Sequence, residues 1–201
     1  MYKQIRSFLL TVFWHLGFKK YTSKRMERHM RGYKEYWTKP EYKEYRERFA
    51  KSTIASHPTL EEMRRVFDRY GASTILEVGC GYGRLLEQLV PYYKVVGLDV
   101  AEEYIEAAQK KGLDVFYFDI ISENHSERSK TKLIAYDTVF CSRFTMYFYE
   151  KPEEMKTAMQ VMESLARKKV IVWEWPHIID YMKKVYPSDT FEYHSIPTGK
   201  P

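Results

Sequence analysis

Cysteine is scarce in this chain: two in 201 residues, Cys80 and Cys141, far apart in sequence. That excludes a disulfide framework and points to a reducing, cytoplasmic compartment. The six histidines form no His-x-x-x-His pair, so with so few thiols no metal-ligand spacing is present. Glycine is light at nine, and neither a low-complexity tract nor a repeat of 20 to 50 residues is found. The most apolar stretch, Phe8 to Phe18, falls short of the roughly 20 residues a membrane-spanning helix needs. It also lacks the small-residue cleavage site of a signal peptide.

What is present is a core-forming composition, 44% hydrophobic and rich in tyrosine at 18, long enough for one domain and an appendage. The net charge of +6 is unevenly spread. Residues 1–51 hold 14 lysines and arginines against 5 acids, a balance of +9; the remainder holds 19 against 22, a balance of −3. An anionic partner, whether nucleic acid or membrane surface, would therefore be met through residues 1–51. Residues 4–18 read as a helix with Ile5, Phe8, Leu9, Val12, Phe13 and Leu16 on one face. That face suits packing on the protein's own core or on a second copy in a homodimer. With Lys3, Arg6, Lys19 and Lys20 flanking it, it also suits an in-plane membrane helix. Basic and aromatic residues at helical spacing continue to residue 50, interrupted at Pro40. Residues 1–58 are thus expected to form a basic helical extension, lid or anchor, ahead of a domain spanning 59–201.

Thr59 and Glu62 fit a capping box, followed by the stripe Leu60, Met63, Val66, Phe67 and Tyr70 and a stop at Gly71. After Gly71 the rhythm changes. Strands are expected at 74–78, 94–99, 114–119, 136–141 and 169–174, and helices at 83–90, 101–111, 152–166 and 177–185. Residues 122–132 are left as a short helix or loop. Strands alternating with helices imply a doubly wound, mostly parallel α/β sheet with ligands beyond the carboxyl ends of the strands.

The stretch "ILEVGCGYGRLLEQL" joins a strand to a helix through Gly79, Cys80, Gly81 and Gly83, the context that makes a glycine-rich turn informative. A dinucleotide fingerprint would need its third glycine where Arg84 stands. Glu77 would also repel a pyrophosphate there, by about 1 kcal/mol or more at surface-like dielectric. A carboxylate instead suits a phosphate-free ligand bearing an ammonium and a sulfonium, that is, S-adenosylmethionine. Its carboxylate could face the start of the next helix, with Arg84 assisting. Asp99 ends the second strand twenty residues after Gly79, where an acid, followed by Val100, can accept ribose hydroxyls. Asp119 is placed to accept from an adenine amine, with the backbone N–H of Ile120 donating to the ring.

These segments resemble class I S-adenosylmethionine-dependent methyltransferases: "LEVGCGYGRLLEQL" their first motif, "VVGLDVAEEYIEAAQ" the second, "VFYFDI" the third, "YDTVFCSRFTMYFYEKPEEM" the fourth strand with its lid, and "KKVIVWEW" the fifth strand. The resemblance covers roughly residues 60–176. It implies a Rossmann-like methyltransferase fold and cofactor contact at Glu77, Gly79, Gly81, Asp99, Asp119 and Cys141 or Ser142. Two departures stand out. Ala101 occupies a place where a small polar residue often caps the next helix, and "TFEYHSI" offers one strand where the familiar fold has an antiparallel pair, so the C-terminal strands are expected to be reduced. Methyl transfer needs positioning more than a catalytic triad. Arg143, Tyr147 and Glu174 follow the fourth and fifth strands and are the candidate catalytic residues. His177 is a further candidate, and Tyr36 and Trp37 could fold over the mouth. No Asn/Asp-Pro-Pro-aromatic motif and no Lys-Asp-Lys-Glu set points to a nucleic-acid base or ribose. The expected acceptor is therefore an O or N nucleophile of a small molecule. The alternatives are methylation of RNA or another polyanion through residues 1–51, and a membrane-associated module that binds cofactor without turnover.

Overall fold

A computed structural model describes residues 57–121 and 135–196. The expected helix over 4–18, the basic segments up to residue 50, Tyr36 and Trp37, and the stretch 122–132 lie outside the described residues. The first described helix, α1 (Leu60–Arg69), opens on the expected capping box. The Glu62 N–H donates to Thr59 Oγ1 at 3.2 Å and the Thr59 N–H donates to Glu62 Oε2 at 2.7 Å. It closes with Gly71 at φ 56 and the Ala72 N–H returning to the Phe67 carbonyl at 3.1 Å.

The chain then alternates: β1 (Thr74–Val78), α2 (Arg84–Leu89), β2 (Lys94–Asp99), α3 (Glu102–Gln109), β3 (Val115–Tyr117), β4 (Tyr136–Ser142), a 3₁₀ turn (Thr145–Phe148), α4 (Pro152–Ser164), β5 (Ala166–Glu174), α5 (Pro176–Val185) and β6 (Phe191–Ser195). The sheet order is β3-β2-β1-β4-β5-β6, and every pair is parallel. The order reverses beside β1, so the crevice between the carboxyl ends of β1 and β4 is the switch point where doubly wound sheets hold ligands. "TFEYHSI" supplies the single reduced C-terminal strand expected of it, β6. It pairs parallel with β5, and no antiparallel strand lies between them among the described residues.

Strand periodicity of two splits the core across the sheet. Ile75, Val95, Phe140 and Ile171 face α1, α2 and α3, meeting Phe67, Leu86 and Ala108. Leu76, Val96, Val139, Val170 and Val172 face α4 and α5, meeting Met155, Met159, Ile178 and Met182. Every residue of β4 is buried, as a strand covered on both faces must be. At the amino ends of the strands, Asp137 accepts from the Ser73 N–H at 2.9 Å, Ser73 Oγ at 2.7 Å and the Thr74 N–H at 3.2 Å. These bonds hold its carboxyl well below the usual carboxylate range. Tyr70 and Arg69 donate to Glu192, fastening α1 to β6. The third strand is shorter than the expected 114–119, ending at Tyr117. The Phe118 N–H still donates to the Asp99 carbonyl at 2.9 Å, which carries the chain on towards Asp119.

Candidate cofactor and methyl-transfer site

The site is built where β1 gives way to the glycine turn. The Gly79 and Cys80 N–H groups both donate to the Leu98 carbonyl, at 2.8 and 3.1 Å, which draws the turn over the end of β2. Asp99 completes the clamp. Its Oδ2 accepts the Gly81 N–H at 2.8 Å, and its Oδ1 accepts those of Val100 at 2.8 Å and Ala101 at 2.9 Å. Asp99 thus fixes the backbone that leads into α3, whose N-cap Ala101 makes no side-chain cap. Gly79 has φ 74, and a Cβ there would come within 2.4 Å of the Phe144 ring. Gly81 has φ 54 with nothing within 4 Å, so its open side lets a ligand approach the backbone closely. Gly83, left-handed, caps α2 against Leu113, and Arg84 is that helix's first residue.

Glu77 is the decisive group. It is 3% exposed, and its Oε2 is buried with no hydrogen-bond partner. Burial foremost, then the nearby Asp99 carboxylate, raise its pKa well above the usual value, and Arg84 opposes them. Burial also raises Asp99, against the three N–H bonds that favour its charge. An orphaned carboxylate oxygen at a glycine turn is an acceptor waiting for a cationic donor. That fits an ammonium-bearing cofactor and disfavours pyrophosphate. Beyond β3, Asp119 Oδ1 accepts the Ile121 N–H at 3.2 Å. The Val100 and Ile120 side chains are buried in the core, so what either offers a ligand comes from its backbone.

Five of the expected residues gather at or just beyond the ends of β4 and β5. Cys141 is fully buried, and burial pushes its thiol up, so it is a neutral wall. Ser142 ends β4. Arg143 stands at φ 57, a left-handed backbone uncommon outside glycine. Its N–H donates to the Trp173 carbonyl at 2.9 Å, and its guanidinium lies 4.8 Å from the centre of the Trp175 ring. Tyr147 is half-buried on the 3₁₀ turn. Glu174 is wholly buried. Its Oε2 accepts from Thr145 Oγ1 at 3.2 Å and the Met146 N–H at 3.1 Å, and its Oε1 accepts from the Trp175 N–H at 3.1 Å. Burial lifts its pKa to about 7 in spite of these bonds. His177 lies further out, stacked on Trp175 at 6.2 Å and met edge-on by Tyr149.

Two residues were not legible as site residues. Phe144 is buried, seals Gly79 and packs on Phe148 with ring centres 5.3 Å apart. His57 precedes α1, yet its Nδ1 lies 2.9 Å from Ser142 Oγ. Nothing in the spacing of "SHPTLEE" announces that contact. Among the described residues, no group of histidines, cysteines and carboxylates could hold a metal ion.

Residues 75–169 match the family model described as a methyltransferase domain. Over those residues the chain is similar to methyltransferase domains, and its fold is the one that S-adenosylmethionine-dependent methyltransferases share. A curated protein of Geobacillus sp. (strain WCH70), provisionally named a methyltransferase, is 26% identical over 117 residues, 57% of this chain and 47% of that protein. The chain thus spans about half the length of the curated relative it matches. Among solved structures, an S-adenosylmethionine-dependent methyltransferase from Clostridium acetobutylicum superposes with a TM-score of 0.50 at 17% identity, covering 63% of this chain and 54% of that one. The plantazolicin methyltransferase BpumL, in complex with S-adenosylhomocysteine, gives 0.52 at 16%, covering 84% and 68%. The sugar N-methyltransferase KedS8 from Streptoalloteichus gives 0.50 at 21%, covering 68% and 55%. These likenesses establish the fold of the methyltransferase domain. None of its described helices is long and apolar enough to cross a membrane.

Proposed function

We propose that the chain catalyses transfer of a methyl group from S-adenosylmethionine to an O or N nucleophile of a small molecule. The observation that carries this is the buried Glu77 carboxylate with an unmet oxygen beside a turn that Asp99 clamps open. When bound, the cofactor supplies a methyl group already activated on a sulfonium. The chain's residues bind, orient and exclude water. Glu77 receives the ammonium, Arg84 the methionine carboxylate, Asp99 the ribose, and Asp119 with the Ile120 backbone the adenine. Phe144 and the 3₁₀ turn close the end of the site nearest β4.

Arg143, braced over the Trp175 ring, and Tyr147 are assigned to the acceptor side. Glu174 is assigned to holding the loop, because it is wholly buried, unlike Asp99, and bonds Thr145, Met146 and Trp175 there. The decisive experiment is calorimetric titration with S-adenosylhomocysteine. Binding of one molecule per chain is expected, and no heat at millimolar ligand would overturn the proposal.

The basic segment 1–51 favours a second reading, an RNA or other polyanionic acceptor. It requires an affinity of the intact chain for RNA that falls steeply with salt. Absence of that affinity leaves the small acceptor.

A further inference from the structure

His57 lies 85 residues from Ser142 in sequence and touches it across the carboxyl ends of the strands. Pro58 behind it is buried, and Thr59 starts the capping box, so the backbone approach to this contact is fixed at both residues. Ser142 is 7% exposed, and β4 delivers it beside the switch point. Two guanidiniums, Arg84 and Arg143, face the imidazole. With burial as the larger cause, they hold its pKa down at about 3, so the ring is neutral at any physiological pH. A neutral imidazole has one N–H and one lone pair. If the proton is on Nε2, Nδ1 must accept from the serine hydroxyl.

We propose that His57 is a positioning residue of the cofactor site. It takes the Ser142 hydroxyl proton in a hydrogen bond at Nδ1, which turns the serine oxygen, as an acceptor, toward the amino-acid end of bound S-adenosylmethionine. The proposal rests on the cofactor reading of the site. It gives the ammonium a second acceptor on the β4 side, opposite Glu77 at the end of β1. It also gives the segment before α1 a chemical reason to cross the strand ends. A cationic His57 would donate to Ser142, turn the hydroxyl hydrogen outward and add a third positive charge beside Arg84 and Arg143. The two guanidiniums therefore protect the arrangement.

The test uses the full chain, folded by melting curve, and two ligands. S-adenosylhomocysteine has the amino-acid end; 5′-methylthioadenosine keeps the adenosine and thioether but lacks it. His57→Ala and Ser142→Ala are each expected to weaken S-adenosylhomocysteine roughly ten-fold, as loss of one hydrogen bond to a charged group does, and to leave methylthioadenosine unchanged. Because His57 acts through Ser142, the double variant should bind no worse than either single one. His57→Asn, whose carbonyl can accept the same proton, should restore most of the affinity, and it also covers the case in which the alanine variant does not fold. Equal losses for both ligands, additive losses in the double variant, or unchanged affinity for S-adenosylhomocysteine would overturn the proposal while leaving the cofactor site intact. Failure of the parent chain to bind S-adenosylhomocysteine would instead overturn the cofactor reading and this proposal with it.

Discussion

Cofactor binding should displace a proton from Glu77. Its carboxyl is sealed from water, lacks a protein donor for Oε2 and faces the Asp99 carboxylate, with Arg84 as the opposing charge and the neutral thiols of Cys80 and Cys141 close by. Those conditions favour the protonated acid. An arriving ammonium reverses the preference, so Glu77 ionises on binding. Below the pKa of that carboxyl before binding, the association constant for S-adenosylhomocysteine should then rise tenfold per pH unit, about 1.4 kcal/mol each, with one proton released. Above that pKa the dependence should flatten.

Glu77→Gln keeps the shape and removes the charge. It should cost one charge-assisted hydrogen bond, roughly 1.5–3 kcal/mol or about 10- to 100-fold in affinity at pH 8. It should also abolish the proton release, so that variant and parent converge as the pH falls towards 5.5. The assay is calorimetry from pH 5.5 to 8.5, run in phosphate and in Tris, whose ionisation heats differ enough to count protons. A parent that binds equally well across that range with no buffer-dependent heat, or a glutamine variant that matches it at pH 8, would refute the reasoning.

The two glycines of the turn should separate. Gly79→Ala carries the left-handed penalty of roughly 1–2 kcal/mol and must also displace the Phe144 ring, so it should lower the melting temperature markedly. Gly81→Ala meets open space and should cost stability only through its backbone, while losing S-adenosylhomocysteine affinity because its methyl group stands on the ligand side. Glu174, raised to about 7, binds a proton in the folded state that the unfolded chain gives up near 4.5. Stability should therefore fall as pH rises between those values, by a few kcal/mol at most. Urea melts at pH 5 and 7.5 should show a smaller difference in Glu174→Gln. Asp137 has the opposite sign: its depressed carboxyl contributes stability above about pH 4 that is lost as the pH falls further. Asp137→Asn should lose at least about 2 kcal/mol at pH 7 and less at pH 3, read from the same melts.

The elements that carried their own local signals were legible. The capping box at Thr59, the exact span of β1 and β2, and the proline start of α4 need only neighbours in sequence. That the glycine turn, Glu77 and Asp99 would meet was legible because each ends or follows one of two adjacent parallel strands. What could not be read was what distance in sequence conceals. His57 reaches Ser142 only because α1 packs where it does. In sequence Glu174 reads as a candidate catalytic residue at a strand end, and only the fold brings Thr145 and Met146 to its oxygens. The end of β3 was misjudged by two residues because Phe118 still bonds to its neighbour after regular pairing stops.

The Phe144 ring lies on Gly79 where any side chain would collide. Under the function proposed above, the floor under the cofactor and the wall toward the acceptor share one aromatic plate. Trimming that plate to enlarge the acceptor space, as Phe144→Ala would, also strips the cover from the turn and opens a void costing about 3–5 kcal/mol. Room for a bulkier acceptor is more cheaply found farther out, around Trp175 and His177, where the rings lean on each other rather than on the floor.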